Sequence, residues 1–395
     1  MISRREMLAA TAAGAAMTAA TTHAASFGNP DEPPQGAINA KNPGSVTDPG
    51  PQNPAVAGQF PSAVSPPPTD VGSLQMDWAS FNNSPRRIQD GGWARQVTQS
   101  TFPISDTISG VNMRLSAGGI RELHWHQAAE WAFMTYGNCR VTVLDTNGRP
   151  YVADVKEGDI WYFPAGYPHS LQGLGPDGCE FVICFDNGAA SEFNTLLVTD
   201  WFIHTPPSVL AKNFGVPAET FAKMPLHDLW IFQGKVPGEL SAVKKAMTGK
   251  AGAPPYPFTF SLGSSAPVSE TKSGKVQIAD SNNFKVSTTI AATLITMQPG
   301  ALRQMHWFDT GPNVLTMDFS PGDIGYVKRN FGHYVENVGN TELQFFAVFR
   351  TAQYEEISLS DWLKHSPPEM VAEHLNIDPA TISEWPDDGP LIRPG

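Results

Sequence analysis

From about residue 76 onward, apolar and polar positions alternate in short runs and not at a helical period. Cys139-Arg140-Val141-Thr142-Val143-Leu144 alternates and is rich in β-branched residues, and Thr146-Asn147-Gly148 follows it with turn formers. Glu180-Phe181-Val182-Ile183-Cys184-Phe185 is a second such run. Successive side chains of a strand point to opposite faces, so these runs predict short half-buried strands joined by tight turns. Two stretches predict helix, Ser208 to Phe214 and Glu369 to Leu375, each behind a Pro-Pro pair suited to a helix start.

The pattern occurs twice. Gly92-Trp93-Ala94-Arg95-Gln96-Val97 is echoed by Gly274-Lys275-Val276-Gln277-Ile278, and Phe102-Pro103-Ile104-Ser105 by Phe284-Lys285-Val286-Ser287. Gly118-Gly119-Ile120-Arg121-Glu122-Leu123-His124-Trp125-His126 returns as Gly300-Ala301-Leu302-Arg303-Gln304-Met305-His306-Trp307-Phe308. Gly158-Asp159-Ile160 leads to His169, and Gly322-Asp323-Ile324 leads to His333. The second copy is shorter: His124 and Gly158 are 34 positions apart, His306 and Gly322 only 16, a loss of 18. A repeat of this length predicts two all-β domains, at 76–235 and 257–395, with a Lys-, Ala- and Gly-rich connector at 236–256.

The N-terminus reads differently. Ser3-Arg4-Arg5-Glu6-Met7-Leu8 is followed by a small-residue apolar stretch to Ala20 and by Thr22-His23-Ala24. Charged start, short apolar middle and small-x-small end are the parts of a signal peptide over 1–25, and the paired arginines resemble a twin-arginine signal. Export to the periplasm or beyond the cell is therefore expected. Residues 26–75 are rich in Pro, Gly, Ala, Asn and Ser, which predicts an extended lead-in without a core of its own.

Composition narrows the function. The 395 residues are 41% hydrophobic and only 16% charged, with net charge −12. No basic run is present to displace counterions, so nucleic acid is excluded as a partner. No later stretch suits a membrane span. Cys139, Cys179 and Cys184 form no zinc-type pairing and are odd in number, so they are expected as buried small apolar residues.

His124-x-His126 places two imidazoles on one face of a strand, with Glu130 four residues on and His169 at the end of another strand. A lone His would be an ordinary half-buried residue. Three His and one Glu at these spacings make a thiolate-free ligand set that suits Mn, Fe, Ni or Zn and leaves positions open. In the second copy His306 and His333 align with two ligands, but Phe308 replaces the second His and the shortened interval removes the Glu. That site is degenerate, with Asp309 the one nearby substitute and nothing in the spacing compelling it.

Gly118-x5-His124-x-His126-x3-Glu130-x6-Gly137 resembles the first cupin motif, and Gly158-x5-Pro164-x-Gly166-x2-His169 the second. Two copies make a bicupin, and the likeness to the bicupin oxalate decarboxylase family runs from about residue 75 to 380. The resemblance implies two jelly-roll barrels, one manganese ion on His124, His126, Glu130 and His169, and conversion of oxalate to formate and carbon dioxide with dioxygen as co-catalyst. It implies that Arg121 holds a substrate carboxylate. It implies that Ser191-Glu192-Phe193-Asn194-Thr195 is a mobile lid whose Glu192 moves a proton, although Phe193 departs from the family's lid sequence. Trp125 and Trp307 resemble the family's stacked pair, although core aromatics are the plainer reading. The resemblance also implies a trimer or a pair of trimers. Oxalate oxidase and a non-catalytic metal-binding bicupin are the competing outcomes.

Overall fold

The computed structural model describes residues 53–64, 66–72, 74, 77–247, 251–303, 313–385 and 391–393. The expected export signal lies outside them. The chain divides into two compact units, Met1–Ser73 with Pro312–Asp318, and Leu74–Gly311 with Phe319–Gly395. In the small unit the lead-in is not extended throughout. Asn53 caps a helix at Pro54–Gln59, with a second short helix at Pro61–Val64. Val71 bridges to Val314, and Asp70 accepts hydrogen bonds from Thr316.

The large unit is mostly β and carries the first copy of the repeat with most of the second. The first copy supplies β1 (Trp78–Ser80), β2 (Arg87–Gln89), β3 (Gly92–Val97), β4 (Ser109–Leu115), β5 (Gly119–Trp125) and β6 (Glu130–Leu144). It continues with β7 (Pro150–Lys156), β8 (Ile160–Phe163), β9 (His169–Gly173), β10 (Cys179–Phe185), β11 (Leu196–Leu197) and β12 (Ile231–Gln233). The alternating runs seen in the sequence are the second half of β6 and the whole of β10. The expected helices form at Pro207–Phe214 and Pro368–Leu375, closed by left-handed Gly215 and Asn376. No described helix is long and apolar enough to cross a membrane.

β6 organises the barrel because it turns a corner. Its first half pairs with β10 and β8, its second half with β7 and β9. Gly137 sits at the corner with φ +70°, and a Cβ there would lie 2.1 Å from the Gly178 carbonyl oxygen, so only glycine fits. The interior of this nearly closed sheet is filled by Met113, Leu115, Met134, Val141, Trp161, Phe163, Leu171 and Phe181, with Cys139 and Cys179 among them. All three cysteines are buried free thiols.

The second copy supplies β13 (Thr259–Phe260), β14 (Ser269–Thr271), β15 (Gly274–Ala279), β16 (Ala291–Met297), β17 (Leu302–Arg303), β18 (Asp323–Gly325), β19 (Val335–Glu336) and β20 (Leu343–Phe349). β14-β15-β16-β20 form one sheet, and β17 pairs with β19. Among the described residues no strand stands where β6 and β7 stand in the first copy. The interval from Gly300 to Gly322 that would hold them is 18 positions shorter than its counterpart in the first copy, counted between the aligned His and Gly.

The copies exchange their leading strands. β13 of the second pairs with β8 of the first, and β1 of the first pairs with β18 of the second. A shared apolar core follows: Trp131, Phe133, Ile160 and Tyr162 pack with Leu262, Phe284, Ile290 and Leu294. Phe346 of β20 stacks on Phe133 at 5.2 Å between ring centroids, so the first copy covers one face of the shortened sheet. This shared core predicts that the copies unfold together. Leu262→Ala, at a position with no exposure, should cost about 2–4 kcal/mol in denaturant unfolding and leave a single transition. Two separated transitions would contradict the shared core.

Candidate metal centre

His124, near the end of β5, faces His169, the first residue of β9, across the antiparallel pair. His126 lies one residue past β5, and Glu130 opens β6. The loop from Gln127 to Ala129 therefore turns the chain so that ligands on two strands meet. All four side chains are buried, and their ligand atoms lie within 4.8 Å of one another. The structure thus brings together the four residues singled out by spacing.

Each imidazole is oriented by the main chain. Nδ1 of His124 lies 2.7 Å from the Glu122 carbonyl, Nδ1 of His126 2.6 Å from Ala128 O, and Nδ1 of His169 2.7 Å from Tyr167 O. A carbonyl oxygen only accepts, so each Nδ1 carries the hydrogen and each Nε2 keeps its lone pair. Those lone pairs converge on Glu130, whose Oε2 lies 3.1 Å from His126 Nε2 and 3.4 Å from His169 Nε2. The other Glu130 oxygen accepts a 2.7 Å hydrogen bond from Trp161 Nε1.

Charge follows geometry. Burial pushes the His124 imidazole well below its ordinary range, and the Arg121 charge adds to that. Burial also lowers His169, with Glu130 opposing. Burial alone would raise the Glu130 carboxyl; in the metal-free protein a proton carried on Nε2 of His169 or His126 outweighs that and holds Glu130 below the ordinary carboxylate range, and a cation in place of that proton would do the same. His169 Nε2 is buried without a hydrogen-bond partner. Neutral imidazoles aimed at one point beside an ionised carboxylate, with a buried lone pair left over, fit a divalent cation.

Arg121 and Glu192 meet beside this cluster. The β5–β9 register shifts between Arg121 and His124, so side chains three apart can both turn inward. Arg121 is 1% exposed, Leu123 54% and His124 4%, a pattern that strict alternation does not produce. Arg121 Nη2 lies 3.3 Å from Glu192 Oε2, and Nη1 donates to the Trp230 carbonyl. Glu192 is the first residue of a short 3-10 turn, Glu192–Asn194, capped by Ser191. Trp125 rests edge-on against Trp201 at 5.5 Å.

Several residues at the site carry no signal in the sequence. Glu122 accepts from Thr199 N and Oγ1 with one oxygen and from Leu229 N and Trp230 N with the other, fastening the helical tail and the return to β12 onto β5. Trp230, held at φ +53°, presents its ring to Arg87 and Arg121. Arg87 binds Glu192. Of the degenerate second site, His306 with Trp307, Phe308 and Asp309 lies outside the described residues. His333 is described, with Nδ1 3.1 Å from Phe331 O, the same two-residue relation as His169 to Tyr167. The first-copy cluster is the one group of three or more potential ligands among the described residues.

The sequence matches the cupin family over residues 79–221 and 309–383. It is 44% identical over 338 residues to the oxalate decarboxylase of Bacillus subtilis, covering 81% of this chain and 87% of that protein. A probable oxalate decarboxylase of Arthroderma benhamiae is 35% identical over 358 residues, covering 84% and 85%. A solved structure of the Bacillus subtilis enzyme superposes with TM-score 0.84 at 41% identity, covering 87% of this chain and 96% of that one. Another, from work on the Mn(II) centres of that enzyme, gives the same values.

Two outcomes follow from the geometry. His126→Ala should leave the purified protein with less than about a tenth of its bound metal by elemental analysis, since a ligand is lost outright. Retained metal would mean that the cluster is not the site. Metal-free protein should lose stability as pH falls below about 6.5, where unfolded imidazoles take up protons that buried His124 and His169 refuse. A melting temperature unchanged between pH 7.5 and pH 5.5 would contradict the buried neutral imidazoles.

Proposed function

The chain belongs to the cupin family, among its bicupin oxalate decarboxylases, and from that membership we propose that it splits oxalate into formate and carbon dioxide at the first-copy centre. The observation that carries the proposal is the placing of Arg121 and Glu192 against each other, beside four inward-facing ligands and out of water. In this reading His124, His126, Glu130 and His169 hold manganese. Bound manganese supplies a Lewis-acid anchor for one carboxylate and, with dioxygen as co-catalyst, the one-electron chemistry that weakens the C–C bond.

The chain's own residues do the rest. Oxalate carries two adjacent carboxylates, so a cation on one side and a planar guanidinium on the other grip it at two points. Arg121 is that guanidinium. Hydrogen oxalate becomes carbon dioxide plus formate with no net gain or loss of atoms, and its acidic proton ends on the formate carbon. A group must take that proton and return it, and Glu192 reaches the substrate's guanidinium partner directly. Burial of Arg121 and Glu192, at 1% and 4% exposure, excludes competing water. The 191–195 segment must move for oxalate to enter, which suits a lid.

One observation favours oxalate oxidase, which gives two carbon dioxide and hydrogen peroxide from hydrogen oxalate, dioxygen and a proton. Phe193 interrupts the lid and is 64% exposed. The seat of Glu192 on Arg121 favours decarboxylation over it. The same reading has the protein exported through its twin-arginine-type leader and assembled as a trimer or hexamer. Trp201 and Trp362, 60% and 63% exposed at matching positions of the two helical tails, support self-association.

The manganese-loaded protein should yield about one formate per oxalate consumed at mildly acidic pH, as the reaction's balance requires. Glu192→Gln should keep its metal and lose formate production by about 10²–10⁴-fold. Loaded protein that consumes no oxalate would leave a metal-binding bicupin. A peroxide yield matching oxalate consumption would establish the oxidase.

A further inference from the structure

Glu192 has a second cation that no motif marks. Arg87, on the edge strand β2, donates from Nη2 to Glu192 Oε2 at 2.9 Å, a shorter contact than the 3.3 Å from Arg121 to the same oxygen. Its guanidinium carbon lies 4.3 Å from the Trp230 ring and 5.5 Å from the Phe193 ring, and those rings meet edge-on at 6.3 Å. Arg87 is thus enclosed by one aromatic from the fixed wall and one from the lid itself. Trp230 belongs to the wall because Glu122 fastens its backbone N–H and Arg121 its carbonyl.

The rest of the lid is lightly held. Gln96 Oε1 accepts from Ser191 Oγ at 3.0 Å and from Glu192 N at 2.9 Å. The remaining bonds of Ser191 and Asn194 largely close the turn on itself. Arg87 therefore supplies the charged contact between the lid and the barrel that remains if Arg121 turns to a substrate carboxylate. Two guanidiniums converge on one carboxylate, and buried nitrogens on both, Nε and Nη1 of Arg87 and Nε and Nη2 of Arg121, lack hydrogen-bond partners. Such a pair of like charges is tolerable near the interior only while an anion lies between them.

We propose that Arg87 is a positioning residue that latches the lid shut, its guanidinium between Phe193 and Trp230 keeping Glu192 over the centre while Arg121 engages the substrate. This rests on the oxalate decarboxylase reading for its consequence, but the latch is a property of the protein without substrate. Phe193, the residue that sets this lid apart from the family sequence, becomes a working part of it. Its exposed ring is the face that covers the guanidinium.

Hydrogen exchange separates the two ideas. In the full-length manganese-loaded protein, amides of a peptide spanning 189–197 should exchange about tenfold faster or more in Arg87→Gln, from loss of a charge-assisted bond and a cation–π contact together. Arg87→Lys should recover most of the protection, and Phe193→Leu should give a smaller increase. With oxalate, Arg87→Gln should keep its manganese and its KM within about twofold, while kcat for formate falls and the peroxide share rises. Exchange at wild-type rate in both Arg87→Gln and Phe193→Leu overturns the latch, whatever the protein does with oxalate. If Arg87→Gln does not fold, unchanged exchange in Phe193→Leu alone overturns it. Wild-type protein that ignores oxalate overturns the proposed function and leaves the exchange comparison standing.

Discussion

A buried imidazole must find something for each of its two nitrogens, and at this centre the main chain takes one of them three times over. The carbonyls of Glu122, Ala128 and Tyr167 claim the Nδ1 hydrogens of His124, His126 and His169. That leaves three Nε2 lone pairs and a carboxylate facing one another in a dry space, an arrangement that is costly by itself. A dication removes the cost, so the affinity of the site is written into backbone geometry as much as into the identity of four residues. The carbonyls belong to β5, to the turn into β6 and to the turn into β9. Those three segments must be in register before any ligand can point correctly, which ties the centre to closure of the first barrel.

The shortened second copy shows what the fold does when closure is withheld. Its strands β14-β15-β16-β20 correspond to one sheet of a jelly roll, and nothing among the described residues continues from β20 as β6 continues from β10. Phe346 and Val348 of β20 instead pack into the cluster containing Trp131 and Phe133. The strand exchange of β1 and β13 makes the same point from the other side, because each copy supplies a strand that pairs with one of its neighbour's. The second copy is thereby retained as a buttress: Leu262 and Phe284 back the wall of β6 and β8 that carries Trp161, and Trp161 carries the hydrogen bond to Glu130. The second copy thus bears on the first-copy centre through packing, whatever its own ligand positions hold.

What could be read in advance divides along sequence separation. His124, His126 and Glu130 lie within seven positions, so their spacing encodes a strand face and a turn. His169 follows Pro164-x-Gly166, whose turn chemistry marks the end of a strand. The repeat was legible because the strand patterns of the two copies still match, and the shortening of the second copy was legible as an interval 18 positions shorter. Arg121 was not legible from alternation, since the register shift before His124 breaks the period on which such a reading depends. It came from resemblance, as did Glu192. Arg87, Gln96 and Trp230 act across 105, 96 and 109 positions respectively. A contact at that range leaves no periodicity and no local composition, so only the folded chain discloses it. The helices at Pro54–Gln59 and Pro61–Val64 were missed for another reason: proline lowers helix propensity in the interior but suits the first turn, where both helices begin.

Glu122, Glu130 and Glu192 are all buried, and what faces each sets them apart. Glu122 meets four donors from Thr199, Leu229 and Trp230, which occupy both oxygens and leave it no chemistry to do. Glu130 divides its oxygens between an indole N–H and the imidazoles, a fixed position suited to a ligand. Glu192 directs both guanidinium contacts to Oε2, and among the described residues nothing bonds its Oε1. It is the only one of the three with an oxygen free to hold a proton, and the only one on a turn that joins the barrel through side-chain contacts and not through a strand. A proton carrier needs both properties, since it must be held close to the reacting carbon and must also be able to withdraw for substrate to enter. Residue type and burial are nearly the same in all three, so the roles proposed for them rest on the donors around each carboxylate.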